Sequence, residues 1–226
     1  MPVVGSIYFV VRRSPLNFSL TLPAVRTLCL ILLLTLCSVP CRAVESVAVV
    51  RSGSAKVGEP APSFTVEAVA GAAIKSVSLE DYRGKWLVLF FYPADFSFIC
   101  PTEITGFNKE LERFKKLGAE VLGGSVDSKY AHLAWIKRGD LGELKYPLFS
   151  DMKKEMAGRY GILDAKEGVA LRGLFIIDPN GVVQYQVVHN LSIGRSVEEV
   201  LRVLEGLQTA NLCPLNWKPG QKTLNR

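Results

Sequence analysis

The chain is poor in the residues on which metal centres and disulfide scaffolds depend. It has two histidines and five cysteines in 226 residues, and Cys29, Cys37 and Cys41 all fall within the first 44. The other two, Cys100 and Cys213, stand 113 positions apart, with no C-x-x-C and no zinc-type spacing. No metal or disulfide framework is expected, and His132 and His189 read as surface or packing residues. Acidic residues are missing from positions 1–44, which carry Arg12, Arg13, Arg26 and Arg42. A bilayer-spanning run is missing too, because Leu28–Cys41 falls short of the ~20 apolar residues required.

A basic, acid-free segment with the short apolar core "LCLILLL" and small residues at Cys41 and Ala43 predicts a removable leader over residues 1–43. The apolar core favours secretory entry, towards the endoplasmic reticulum lumen. The long arginine-bearing approach also suits a mitochondrial or plastid transit peptide, and a retained anchoring helix is the remaining alternative. Loss of the four leader arginines lowers the formal charge from +6 to +2. The basicity is therefore mostly leader, no nucleic-acid footprint is supported, and the mature chain is expected to have no stable membrane span. Residues 44–56, "VESVAVVRSGSAK", read as a linker, and residues 57–226 as one domain ending in a polar tail from Asn211.

Within that domain, Pro60 and Pro62 exclude helix, and an extended segment follows. "WLVLFFY", 86–92, is a continuous apolar run of the kind found in a strand covered on both faces. "PTEITGFNKELERFKKLG", 101–118, reads as one helix, with Pro101 at its first position and Gly118 at its stop. "AEVLGGSVD" is a second buried strand, and Ser128 caps a helix through "SKYAHLAWIKRG". "DMKKEMAGRYG" is a short helix, "LRGLFIIDPNGVVQYQVVH" a hairpin turning at Asp178-Pro179-Asn180-Gly181, and 196–208 the last helix. The order β, α, β, α, β-β, α describes an α/β fold, a mixed central sheet flanked by helices.

Cys100 lies where an apolar stretch gives way to Pro101, at or near a helix N-cap. Free backbone N–H groups and the positive end of the helix dipole stabilise a thiolate there. Ser97, three residues earlier, would share the sulfur's side in a tight helical loop. A buried, inert thiol explains the position equally well. Arg172 runs directly into the apolar stretch Leu174–Ile177 and should meet an anion there, because an unpaired buried guanidinium is costly.

"FFYPADFSFICPTEI" resembles the active-site segment of the typical two-cysteine peroxiredoxins, thioredoxin-fold peroxidases of the AhpC/TSA family. "SVDSKYAHLAW", "ALRGLFIID", "IGRSVEEVLR" and "CPLNWKPG" follow in the family's order, between Val57 and Gly220. The resemblance implies a thioredoxin-like fold with an extended C-terminal tail, and reduction of hydrogen peroxide and organic hydroperoxides. It assigns Cys100 as the peroxidatic cysteine, shielded by Pro93 and supported by Arg172, with Glu103 and Arg195 orienting that arginine. Ser97 stands where the family usually has threonine and lacks the methyl that fixes the rotamer. Cys213 matches the resolving cysteine, which closes an intersubunit disulfide with Cys100 of the partner in a homodimer, five of which can form a decamer. A thioredoxin-like protein would be the reductant, and no metal or organic cofactor is implied. An oligomeric holdase chaperone and a one-cysteine peroxidase with an inert tail are the alternatives.

Two features depart from the family's peroxide-sensitive members. The loop after "HLAW" is the shorter "RGDLGELKYP" rather than one bearing Gly-Gly-Leu-Gly. The chain also ends 13 residues after Cys213, without a Tyr-Phe helix. Those elements slow local unfolding around the peroxidatic cysteine and so favour overoxidation. Their lack predicts a robust enzyme.

Overall fold

The structure, a computed structural model, describes residues 54–224. The predicted leader and residues 44–53 of the predicted linker lie outside them. The elements are, in chain order, β1 (Thr65–Ala70), β2 (Ala73–Ser78), β3 (Trp86–Phe91), α1 (Cys100–Lys109), α2 (Leu111–Lys116), β4 (Ala119–Ser125), α3 (Lys129–Arg138), β5 (Leu148–Ser150), α4 (Glu155–Arg159), β6 (Leu163–Asp164), β7 (Val169–Ala170), β8 (Arg172–Ile177), β9 (Val183–His189) and α5 (Val197–Gln208). Seven strands form one mixed sheet in the order β2-β1-β5-β4-β3-β8-β9. β3, β4 and β5 run parallel, and the other pairings are antiparallel.

β3 lies inside the sheet, between β4 and β8, so its unbroken apolar sequence is buried on both faces. Val88, Phe90 and Tyr92 face the core shared with Cys100, Ile104, Phe107, Trp135 and Leu201. Leu87, Leu89 and Phe91 face the core shared with Phe149, Met156, Tyr160 and Phe175. Gly123 and Gly124 in β4 make room for rings. A Cβ on Gly123 would come within 2.5 Å of Phe90, and one on Gly124 within 2.4 Å of Phe149. Those close approaches account for glycine in the middle of a buried strand.

The caps fall where the sequence places them. Ser128 accepts from Ala131 N at 3.1 Å, and Gly139 ends α3 in the left-handed region. The hairpin turn also forms as expected, with Gly181 N donating to Asp178 O at 2.8 Å.

Three expectations need correction. The helix predicted over 101–118 is two helices, broken at Glu110 (φ −93°, ψ 7°). Side-chain periodicity runs through the break because Ile104, Phe107, Leu111 and Phe114 all still reach one core. Cys100 is the first residue of α1 and Ile99 its N-cap, so Pro101 stands one position later than expected. β5 was not expected as a strand. Three residues after a proline carry no readable period, and β5 exists because β4 and β1 flank it.

Candidate active site

Cys100 opens α1 at the end of the loop that leaves the C-terminal end of β3, and it is fully buried in the core. Arg172, the first residue of β8, reaches the sulfur from the neighbouring strand. Its Nη1 lies 3.5 Å from Cys100 Sγ and 2.6 Å from Glu103 Oε2, while its Nε donates to Leu191 O at 2.9 Å. Three contacts on one planar guanidinium fix its orientation, as a point-charge ammonium could not.

Glu103 sits one helical turn after Cys100, so its carboxylate and the sulfur share a face of α1. Its second oxygen accepts from Arg195 twice, from Nε at 2.6 Å and from the backbone N at 2.9 Å. Arg195 in turn donates from Nη1 to Gly173 O at 2.6 Å and lies over the Phe90 ring, 5.2 Å from its centroid. Arg172, Glu103 and Arg195 are all buried, at 3%, 4% and 8% exposure, so each charge depends on the others. Burial works against the Glu103 charge, but the hydrogen bonds and charge of Arg195, with Arg172 behind it, hold the carboxyl below its usual range. Two guanidiniums around one carboxylate leave net positive charge beside the sulfur. The positive end of the α1 dipole adds to it, since the sulfur stands on the first residue of that helix.

The loop residues before Cys100 are arranged unevenly. Pro93 is half-buried, directly after β3. Ser97 Oγ donates to Ala94 O at 2.9 Å, and among the described residues it makes no hydrogen bond to Cys100 Sγ. The expected approach of that hydroxyl to the sulfur is therefore not a hydrogen bond in this state. Asp95, absent from the candidates read from sequence, is buried and holds the loop to α3 through His132 and to the turn after β4 through Asp127. His132 is fully buried and hydrogen-bonded on both ring nitrogens.

Cys213 is placed apart from this cluster, half-buried against the end of α5. Its sulfur lies 3.7 Å from Thr209 Oγ1 and 3.8 Å from Gly206 O. It borders a surface hollow of about 740 Å³ with Glu199, Arg202 and Lys218. The tail is pinned by Trp217, whose O accepts from Arg202 Nη1 at 3.2 Å. A second cavity of about 490 Å³, between β1, β5 and α4, contains none of the candidate residues. Among the described residues no cluster of metal-ligating side chains occurs, and no helix is long and apolar enough to cross a membrane.

Residues 57–186 match the family model described as AhpC/TSA family. A putative peroxiredoxin in the rubredoxin operon of Clostridium pasteurianum is 53% identical over 174 residues, covering 74% of this chain and 98% of that protein. The reduced 2-Cys peroxiredoxin of Plasmodium vivax superposes with a TM-score of 0.71 at 42% identity, over 74% of this chain and 91% of that one. The mitochondrial 2-Cys peroxiredoxin of Plasmodium falciparum gives 0.65 at 41% identity, over 70% and 100%.

Proposed function

The chain belongs to the AhpC/TSA family and is a peroxiredoxin, a thiol-dependent peroxidase on a thioredoxin-like fold, and on that premise we propose that Cys100 is its peroxidatic cysteine and Cys213 its resolving one. The observation that carries the first assignment is the Cys100 sulfur at the start of a helix, 3.5 Å from a guanidinium that a buried carboxylate holds in place. The reacting form is the thiolate. It attacks one peroxide oxygen, an S–O bond forms as the O–O bond breaks, and the departing oxygen takes a proton to leave as water or an alcohol. Arg172 offsets the negative charge on sulfur and on the leaving oxygen, the role that preorganised donors play best in a dry site. Glu103 and Arg195 position Arg172. Pro93 shields the pocket, and Ser97 completes its polar wall.

Cys100 is then a sulfenic acid. The thiolate of Cys213 from the second subunit attacks that sulfur, an S–S bond forms as the S–O bond breaks, and the oxygen takes a proton to leave as water. A thioredoxin-like dithiol restores both thiols by exchange. Reciprocal use of two tails makes the unit a two-fold homodimer, which assembles into decamers. No metal or organic cofactor takes part. The short 139–147 loop bonds to α1 at Ile104 and Asn108, away from Cys100 and the loop before it, and the tail bonds to α5. This arrangement supports a robust enzyme, in which Cys213 outruns a second peroxide.

Residues 57–226 form the catalytic unit, and residues 1–43 act as a targeting leader joined by the linker. Secretory entry gains no support from the comparisons, one of which is with a mitochondrial protein. The mature N-terminus of native material separates the two routes.

Replacing each thiol separately tests the assignment. Cys100→Ser should abolish peroxide consumption. Cys213→Ser should keep the first oxidation of Cys100 but give no covalent dimer on non-reducing electrophoresis. Consumption surviving in the first variant, or a dimer persisting in the second, sinks the proposal.

A further inference from the structure

Cys100 is buried in the core, and a disulfide to another chain requires its Cα to come within about 7 Å of the partner cysteine's Cα, with the two Cβ vectors facing each other. The loop that carries it, residues 93–99, must therefore leave its place before Cys213 can reach the sulfur, while Tyr92 stays bonded to β4 through its N–H to Gly124 O at 2.9 Å. What holds this loop down is a cluster that the peroxide chemistry does not use. Asp95 Oδ2 lies 2.7 Å from His132 Nδ1, Asp95 Oδ1 accepts from Tyr92 OH at 2.9 Å, and Asp95 N donates to Asp127 Oδ2 at 2.8 Å. His132 Nε2 is 2.9 Å from Phe149 O. A carbonyl only accepts, so Nε2 carries the proton and donates to it, while Nδ1 faces Asp95 and, at 3.4 Å, the Tyr92 hydroxyl. Burial, followed by the Asp95 charge, keeps the Tyr92 phenol protonated and donating.

A second observation shows that the loop is held under tension. Phe96, next to Asp95, has φ of 54°, a left-handed conformation that a bulky residue avoids. Its half-exposed ring leans on Trp135, with Arg138 over its face. Trp135 and Arg138 belong to α3, the helix that carries His132. Phe98, two residues on, is 95% exposed, so little else within this chain covers the loop. A strained segment persists only while its surroundings over-determine it, and here those surroundings are α3 and the Asp95 hydrogen bonds.

We propose that Asp95, His132 and Tyr92 form a latch that sets how often the Cys100 loop leaves its pocket, which makes them positioning residues for the disulfide-forming step rather than for peroxide attack. The inference rests on the assignment of Cys100 and Cys213 given above. Latch and pocket are separable because Arg172 approaches the sulfur from β8 and is held by Glu103 of α1, itself gripped by Arg195 from the segment before α5, whereas the latch joins the loop to α3. Weakening the latch raises the open fraction, while the closed form that reacts with peroxide remains the majority.

Acid-quenched time courses on the reduced full chain test this, with sulfenic acid trapped by dimedone and covalent dimer read by non-reducing electrophoresis. In Asp95→Asn the peroxide step should stay within about threefold of the parent while disulfide formation accelerates about tenfold, the factor expected for one lost charge-assisted hydrogen bond in a buried site. Tyr92→Phe, which removes only a hydroxyl donating to that carboxylate, should move disulfide formation the same way by up to about tenfold, again the effect of one charge-assisted hydrogen bond, and decides the question alone if Asp95→Asn does not fold. The sulfinic fraction at a given peroxide dose should fall in both. A parent that forms a Cys213-dependent dimer at a rate neither variant changes overturns the latch alone. So does a peroxide step that slows in proportion to a general loss of thermal stability. A parent with no Cys213-dependent dimer overturns the underlying assignment, and the latch with it.

Discussion

Cys100 and Cys213 carry the same thiol in opposite settings. The sulfur of Cys100 is placed by partners far away in sequence: Arg172 is 72 positions off, and Glu103 is bonded to Arg195, 92 positions on. Cys213 is placed by neighbours within seven positions, Thr209 and Gly206, in a tail whose remaining bonds go to α5 and to itself. Long-range placement ties the first sulfur to the folded core, so any change there is felt through several elements. Short-range placement leaves the second free to detach without disturbing the sheet. The proposed roles, a nucleophile that needs a fixed electrostatic pocket and a second thiol that has to travel, call for this division.

The comparison breaks most sharply at Arg172. Arg172→Met removes the only guanidinium hydrogen-bonded to the sulfur among the described residues. The second-order rate of Cys100 oxidation by hydrogen peroxide should fall by about 10²–10³-fold, the usual effect of deleting one preorganised donor. Arg172→Lys should recover little, because an ammonium cannot serve Cys100, Glu103 and Leu191 O together. A loss smaller than about tenfold in the Met variant would mean that the helix N-terminus alone activates the thiol.

The next largest effect is on stability and lies at Glu103. Glu103→Gln leaves two buried guanidiniums short of their carboxylate and should destabilise the chain by about 3 kcal/mol near neutral pH. The sign of its pH dependence follows from its lowered carboxyl. That stabilisation is fully present above the ordinary value of 4.5 and drains away as pH falls through the lower, folded-state value. The gap between parent and variant in denaturant unfolding should therefore close on acidification. Asp151 pulls the other way, since burial raises its carboxyl against the N–H groups of Ala157 and Met156, and its protonation favours the folded chain. Comparing the two proteins at each pH cancels Asp151. A gap that stays constant into acid would show that Glu103 acts by shape rather than charge.

Much of the scaffold around Cys100 could be read from local chemistry, and its wiring could not. The apolar run 86–92, Pro101 near a helix start and the Ser128 cap are statements about adjacent residues, and all three hold. The need of Arg172 for an anion followed from its place beside apolar residues. That Glu103 is gripped on both oxygens is a tertiary fact, and the resemblance to a family, not periodicity, joined Glu103 and Arg195 to it. His132 was expected at the surface or in packing, and it is buried, but nothing within its own helix signals Asp95, 37 positions earlier. The strands β5, β6 and β7 were unreadable for a related reason. Two or three residues hold no period, and only the neighbouring strand makes them regular.

The tail should give the smallest effect, and it is the test that sharpens the comparison. Trp217 is 4% exposed, yet its contacts are local: Nε1 donates to Gln221 O at 3.1 Å and its backbone O accepts from Arg202 at 3.2 Å. Its ring lies near Gly206, where a Cβ would meet it at an ordinary 3.5 Å. A tryptophan this buried in a central core would cost about 3–5 kcal/mol when cut to alanine. Here the loss should be met by local release instead, because tail and sheet can part without exposing the cores around β3. Trp217→Ala is expected to leave the peroxide step within about twofold and to lower the thermal midpoint by only a few degrees, roughly the shift that 1 kcal/mol produces. Amide exchange should quicken over residues 209–224 and nowhere else. Quickening that spread into β3 or α1 would show that the two thiols share one cooperative unit, and the division of labour between a fixed and a travelling sulfur would have to be given up.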